Sequence, residues 1–277
     1  MYLLGLIQLL IYFYNRDIFL NNSGIKFEQI MEKNRIGQNL FLTVCMAILI
    51  SNTTSLAQDK TAEPGSIIVN KCIDFTVTGD GSSKEWDSAE WIDLVSRGTE
   101  VAGYHTSTKV LYSETGIYFL FDCKDKKLTT TMEADNLNLW EEDVVEVFLW
   151  TDERFPVYFE YELSPMNYEL PIIVPNFDGK FLGWLPWKYY DDKRTRHATS
   201  ATGGEKKSGS SVTGWIAEFF IPYRLLEPLN NVPPASGTKW RANMYRIDRD
   251  SATLAFNWQK TNRTFHEYRN FGTFVFE

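Results

Sequence analysis

The stretch Asp143-Val144-Val145-Glu146-Val147-Phe148-Leu149-Trp150 decides the fold. It is β-branched and aromatic, apolar except at Asp143 and Glu146, and closed off by Thr151-Asp152. An apolar run this short is strand length, and without alternation it reads as a strand buried on both faces. A carboxylate inside such a strand costs several kcal/mol unless something meets it, so Glu146 must have a dedicated partner. Two readings stand: an internal pair with Arg241 or Arg246, or an acceptor for ligand hydroxyls beside Trp140, six residues upstream. Just downstream, Val157–Leu163 (VYFEYEL) alternates strictly, which puts Glu160 and Glu162 on one face and Phe159, Tyr161 and Leu163 on the other. If the two strands are neighbours, three or four carboxylates converge. Such a cluster suits a hydroxyl-rich ligand or a hard cation such as Ca²⁺. Otherwise the face is a solvated exterior, the reading preferred for Glu162.

Working outward, the punctuation stays that of β-structure. Lys109–Tyr112 and Ile117–Phe121 flank a tight turn at Ser113-Glu114-Thr115-Gly116, and further strands fall at Gly214–Pro222, Trp240–Ile247 and Phe271–Phe276. Only Tyr223–Leu229, after Pro222, has the makings of a short helix. Residues 199–213 (TSATGGEKKSGSSVT) read as a mobile surface loop. Phe177–Tyr190 (FDGKFLGWLPWKYY) is ring-rich but too interrupted for regular structure, and serves as a stacking platform or as a lid over the core edge. The class is all-β: an antiparallel sandwich of about ten strands, jelly-roll or immunoglobulin-like.

The 277 residues carry 36 Asp+Glu against 28 Lys+Arg, a net charge of −8 that disfavours nucleic acid as a partner. Aromatic residues make up 15% of the chain, and no Trp precedes Trp86. Residues 31–57 read as a signal peptide: Lys33 and Arg35, an apolar run from Leu40 to Ile50, then Ser55-Leu56-Ala57. That run is too short for a membrane span, which needs about 20 residues. Residues 1–30 are expected to be an extension ahead of the true start at Met31, residues 58–70 a linker, and residues 71–277 the folded module. Cys72 and Cys123 either pair, as an oxidising compartment permits, or stay as free thiols. No nucleophile elbow, phosphate loop or zinc spacing is present, and His105, His197 and His266 carry no ligand spacing.

In order and spacing, several segments together resemble carbohydrate-binding module family 9 and its broader group of secreted bacterial proteins. They are Glu85-Trp86-Asp87-Ser88-Ala89, Gly116-Ile117-Tyr118-Phe119, Trp140 to Phe148, Gly214-Trp215-Ile216-Ala217-Glu218 with Ile221-Pro222-Tyr223, Trp240-Arg241-Ala242-Asn243 with Arg246, and Phe265-His266 with Phe271-Gly272-Thr273-Phe274. The resemblance implies a non-catalytic β-sandwich that grips glucan (cellulose) or xylan ends between two rings, with Ca²⁺ elsewhere. By position it implies Trp140 as the first ring, Glu146 as a hydroxyl acceptor and Asn262 as a polar contact. Phe265 falls where the family has a second Trp, and Glu160 and Glu162 fall where Arg and Asn are expected. Partners would be oligosaccharide or polysaccharide ends and a glycoside hydrolase acting alongside. Two other readings are open: a glycosidase using two of Asp143, Glu146, Glu160 and Glu162, and a haem-binding sandwich using His266 with Met132 or Met244. A purely structural interaction domain is the plainest alternative.

Overall fold

A computed structural model describes residues 65–277 apart from Lys188 and Ser251. The expected extension at 1–30, the signal at 31–57 and the start of the linker lie outside the described residues. The end of that linker is structured: Ser66–Lys71 forms the first strand, β1. The strands that follow are β2 (Ile92–Ser96), β3 (His105–Tyr112), β4 (Gly116–Lys124), β5 (Val144–Trp150), β6 (Val157–Leu163) and β7 (Glu169–Phe177). Then come the two-residue strands β8 (Lys180–Phe181) and β9 (Leu185–Pro186), followed by β10 (Arg196–Thr202) and β11 (Gly214–Pro222). One helical turn, α1 (Tyr223–Leu226), precedes β12 (Lys239–Asp248), β13 (Leu254–Asn257) and β14 (Gly272–Phe276). The described residues therefore form 14 strands where about ten are expected. The additions include the paired half of the supposed 199–213 loop, whose residues up to Thr202 bond to β11.

Strand pairing follows the order β10-β11-β4-β3-β1-β14-β12-β5-β6-β7-β8. Its two halves pack face to face as an antiparallel sandwich. The exception is β1, which runs parallel to both β3 and β14 and joins the two sheets along one seam. A second tie runs through β2, which pairs with β3 on one side and β13 on the other.

Alternation along the strands explains the layers. From β5 and β6, Val145, Val147, Leu149, Phe159, Tyr161 and Leu163 point between the sheets. There they meet Phe119, Phe121, Trp215, Phe219, Trp240 and Met244, all at most 1% exposed. A fully buried Trp or Phe here contributes roughly 1.5–3 kcal/mol or more. The inner layer also holds Arg246, whose guanidinium donates to Asp125 at 2.8 Å and Asp248 at 2.6 Å, all three fully buried. Cys72 and Cys123 are free thiols.

Both outer faces are covered. On the first sheet, Trp86 and Phe75 pack over Leu111, Tyr118 and Phe220. That cover is pinned by Glu218, which is fully buried yet satisfied: it accepts from the Trp86 indole at 2.9 Å and the backbone N–H groups of Thr78 at 2.9 Å and Gly79 at 2.7 Å. On the second sheet, segments 177–187 and 265–271 lie over the outward side chains of β5, β6, β7 and β12. No helix among the described residues is long and apolar enough to cross a membrane.

Candidate functional site

The outer face of the second sheet carries the chemistry. β5 and β6 pair so that Glu146 lies opposite Glu162 and Phe148 opposite Glu160. On the other flank of β5, Tyr245 of β12 lies opposite Glu146. The alternation that sends the apolar residues inward thus gathers Glu146, Glu160 and Glu162 on one surface, as the sequence reading anticipates. It does not leave them solvated. Their exposures are 2%, 4% and 0%, so the solvated-exterior reading of Glu162 is wrong: the sheet's edge and its covering segments close over it. One oxygen of Glu146, one of Glu160 and both of Glu162 are buried without a good hydrogen-bond donor.

Electrostatics follow from that burial. Loss of water pushes Glu146 up to about 8, with Arg249 pulling the other way. Burial also lifts Glu160 and Glu162 well above the carboxylate range, and the charge on Glu146 adds to both shifts. The cation near Glu146 is therefore Arg249, not Arg241 or Arg246. Arg246 belongs to the opposite face of its strand, and Arg241 is taken by the carbonyl of Phe271. Arg249 itself donates to the Trp140 carbonyl at 2.9 Å and the Thr253 hydroxyl at 2.9 Å.

Aromatic rings wall this face. Trp140, half-buried on a short 3-10 turn just ahead of β5, meets Trp184 edge-on at 5.3 Å. Phe181 stacks on His266 at 4.1 Å, and Phe148 stacks beneath the same imidazole at 5.4 Å. The Phe177–Tyr190 segment accordingly does two jobs. Trp187 anchors to the Leu225 carbonyl at 3.0 Å at the core edge, while Phe181 and Trp184 reach over the acidic face. Phe265 is on the face but is not a free platform. One side of its ring stacks on Tyr245 at 4.0 Å and 11°, and Arg97 sits 5.0 Å from its centroid. Asn262 is exposed at the rim, its backbone N–H bound to Glu267 at 2.8 Å, and among the described residues its side chain makes no hydrogen bond to the glutamates.

Sequence reasoning brings five of its six site residues together here. It misses Tyr245, Tyr158 and Arg249, and names His266 only as a haem ligand. The tyrosines were accessible from strand alternation once β12 and β6 are paired with β5, whereas Arg249 arrives from a loop.

One member of each rival residue set lies elsewhere. Asp143 turns away from the trio to accept the backbone N–H groups of Thr129 at 2.6 Å and Arg249 at 2.8 Å. His266 shares its Nδ1 with the Tyr158 hydroxyl at 2.7 Å and is sandwiched between rings, while Met244 points into the core on the opposite side of the sheet. As for Ca²⁺, carboxylate oxygens of Asp125, Asp248 and Asp250 come within 4.8 Å of one another. Arg246 already pairs with two of them, and Asp250 accepts from Tyr104 at 2.8 Å and Thr129 at 2.9 Å, so a calcium ion here would compete with these donors for the same oxygens.

Comparison with known proteins bears on the fold and the family. The family profile described as "Carbohydrate family 9 binding domain-like" matches residues 77–277. A candidate carbohydrate-binding protein from Bacteroides uniformis superposes with a TM-score of 0.63 at 17% identity, covering 76% of this chain and 99% of that one. A carbohydrate-binding module family 9 from Caldicellulosiruptor kristjanssonii, in complex with cellotriose, gives 0.53 at 16% identity over 76% and 93% of the two chains. The same module in complex with glucose gives 0.54 at 17% over 76% and 95%. At these identities the likeness is one of fold. No curated protein matches the chain.

Proposed function

Because the chain belongs to the carbohydrate family 9 binding domain-like family, we propose that the acidic, ring-walled face of its second sheet holds the end of an oligosaccharide. The observation that carries this reading is the set of buried Glu146, Glu160 and Glu162 oxygens without donors, beside the half-buried Trp140. Sugar rings present an apolar C–H face that packs on an indole, and their hydroxyls are the donors these oxygens lack. We read the protein as a secreted, non-catalytic member of a polysaccharide-capturing system of glucan or xylan type, working beside a glycoside hydrolase. Membership of a family of binding modules supports the absence of catalysis. The cellotriose and glucose seen on the Caldicellulosiruptor module support a glucan.

Calorimetric titration with cellotriose and xylobiose tests the reading. Binding is expected, and Trp140→Ala should weaken it about tenfold, the worth of one stacking ring. No heat from any neutral or charged oligosaccharide would leave the sandwich as an interaction domain, and release of reducing ends that Glu146→Gln abolishes would make it a glycosidase.

A further inference from the structure

A second concavity opens at the far end of the same face. We propose that it is a separate binding site for a neutral saccharide, its ligand class resting in part on the sugar-binding reading above.

Trp150 ends β5 four residues beyond Glu146, roughly 13 Å away along the strand. Between them on the same face stands Phe148, roofed by His266 and Phe181. That stack divides the face in two. Beyond it, Trp150, Pro156, Asn176, Phe177 and Tyr268 line a cavity of about 530 Å³, within the size range of small-ligand sites.

Asn176 marks this cavity as more than a surface fold. It continues the outward alternation of Leu170, Ile172 and Val174 along β7 and is only 3% exposed. Its side-chain Nδ2 finds no acceptor among the described residues. The other two buried asparagines are engaged at both ends of the amide. Asn243 donates to the Tyr245 hydroxyl and the Gln259 carbonyl, and accepts from the backbone N–H groups of Met244 and Gln259. Asn257 donates to the Val95 carbonyl and accepts from the Thr261 N–H. A buried amide donor left unmet is destabilising, and a ligand oxygen in the cavity is the acceptor that Asn176 lacks.

The remaining lining fits a sugar ring. Phe177 stands at the lip with 67% of its surface exposed, an open apolar plane for a ring's C–H face. Trp150 is fixed as a wall: its indole N–H donates to the Phe155 carbonyl at 2.8 Å, and Tyr268 meets it edge-on at 5.0 Å. Charge at the rim balances, with Arg154 and Arg269 against Glu153 and Asp178. Such a rim holds neither an anion nor a cation by net attraction. A hydroxyl, which accepts and donates, can meet both kinds of group. The Arg269–Asp178 pair, 3.1 Å apart and largely exposed, is weak enough for hydroxyls to share its atoms.

Indole N–H signals in nuclear magnetic resonance report the two sites in one titration of the full chain with cellotriose or xylobiose. Trp140→Phe, Trp150→Phe and Trp184→Phe assign them: Trp140 and Trp184 report the acidic face, Trp150 the cavity. The Trp150 indole and the Asn176 amide are expected to shift with a dissociation constant of their own, which Trp140→Ala leaves unchanged. Asn176→Ala should abolish the Trp150 shift. Phe177→Ala, at an exposed position that folding tolerates, should weaken this site about fivefold. Both should leave the acidic-face signals as they were. A Trp150 signal that stays still while Trp140 and Trp184 move overturns the second site and leaves the sugar-binding reading standing. So does a Trp150 shift that vanishes in Trp140→Ala, or one that both cavity variants leave unaltered. A shift at Trp150 alone keeps the second site and overturns the acidic face as the place where sugar binds. Tighter binding of a galacturonic acid trimer at Trp150 overturns the neutral class. No movement with any saccharide overturns both readings.

Discussion

Glu146 shows what one buried side chain does to the whole stability curve. Unfolded, it ionises near 4.3; folded, burial holds it protonated up to about 8. Between those values the unfolded chain has lost the proton and the native chain keeps it, so stability falls as pH rises through that window and levels off above it. Glu160 and Glu162, raised for the same reason, act with the same sign. Urea denaturation should therefore give a protein roughly a few kcal/mol less stable at pH 8 than at pH 5. Glu146→Gln fills the same volume and cannot ionise, so its curve should be flatter, recovering roughly 2 kcal/mol at pH 8. A variant with the parent's slope would mean that Glu146 is ionised in the native state.

At the level of elements, β5 and β6 were legible with their ends nearly correct, because a continuous apolar run and a strict alternation are signals the chain carries locally. The β3–β4 hairpin and β11 were legible for the same reason. The shared acidic face followed from alternation plus one supposition, that the two strands are neighbours. What escaped was set by partners distant in sequence. β1 looks like linker until its pairing with β3 and β14 is known, and β10 is polar enough to pass for a loop until β11 claims its hydrogen bonds. The Phe265 ring could be aligned from sequence, but its occupation by Tyr245 and Arg97 is tertiary. A glycine at the start of β11 is another such case: a Cβ on Gly214 would lie 2.5 Å from the Cys123 carbonyl oxygen in β4. Gly214→Ala should therefore push these strands apart and destabilise by about 1–3 kcal/mol, measurable as a lower denaturation midpoint with an unchanged slope.

At the scale of the molecule, the sandwich is closed along one seam by a strand of six residues. β1 fills the gap between β3 and β14, and its Val69 is fully buried in the inter-sheet core. Removing it would uncover two strand edges with unpaired N–H and C=O groups, a template for pairing with other chains. Truncation to Gly65 should leave a monomeric, cooperatively unfolding protein. Truncation past Lys71 should cost more than about 3 kcal/mol and give multimers by size-exclusion chromatography. Equal behaviour of the two truncations would show β1 to be an accessory strand.

The way β5 and β6 interleave also divides the labour of change. Odd-numbered positions from Val145 to Leu149 and from Phe159 to Leu163 serve the core, and even-numbered ones from Val144 to Trp150 and from Tyr158 to Glu162 serve the outer face. Point substitutions at even positions can rewrite recognition while the inter-sheet packing is inherited intact, so specificity can drift quickly on a conserved chassis. Single-residue insertions or deletions have no such freedom: each would exchange the two sets at once, burying the glutamates between the sheets and turning the core's rings outward. Variation among descendants of such a chain should accordingly arrive as substitutions in these strands and as length changes only in the loops between them.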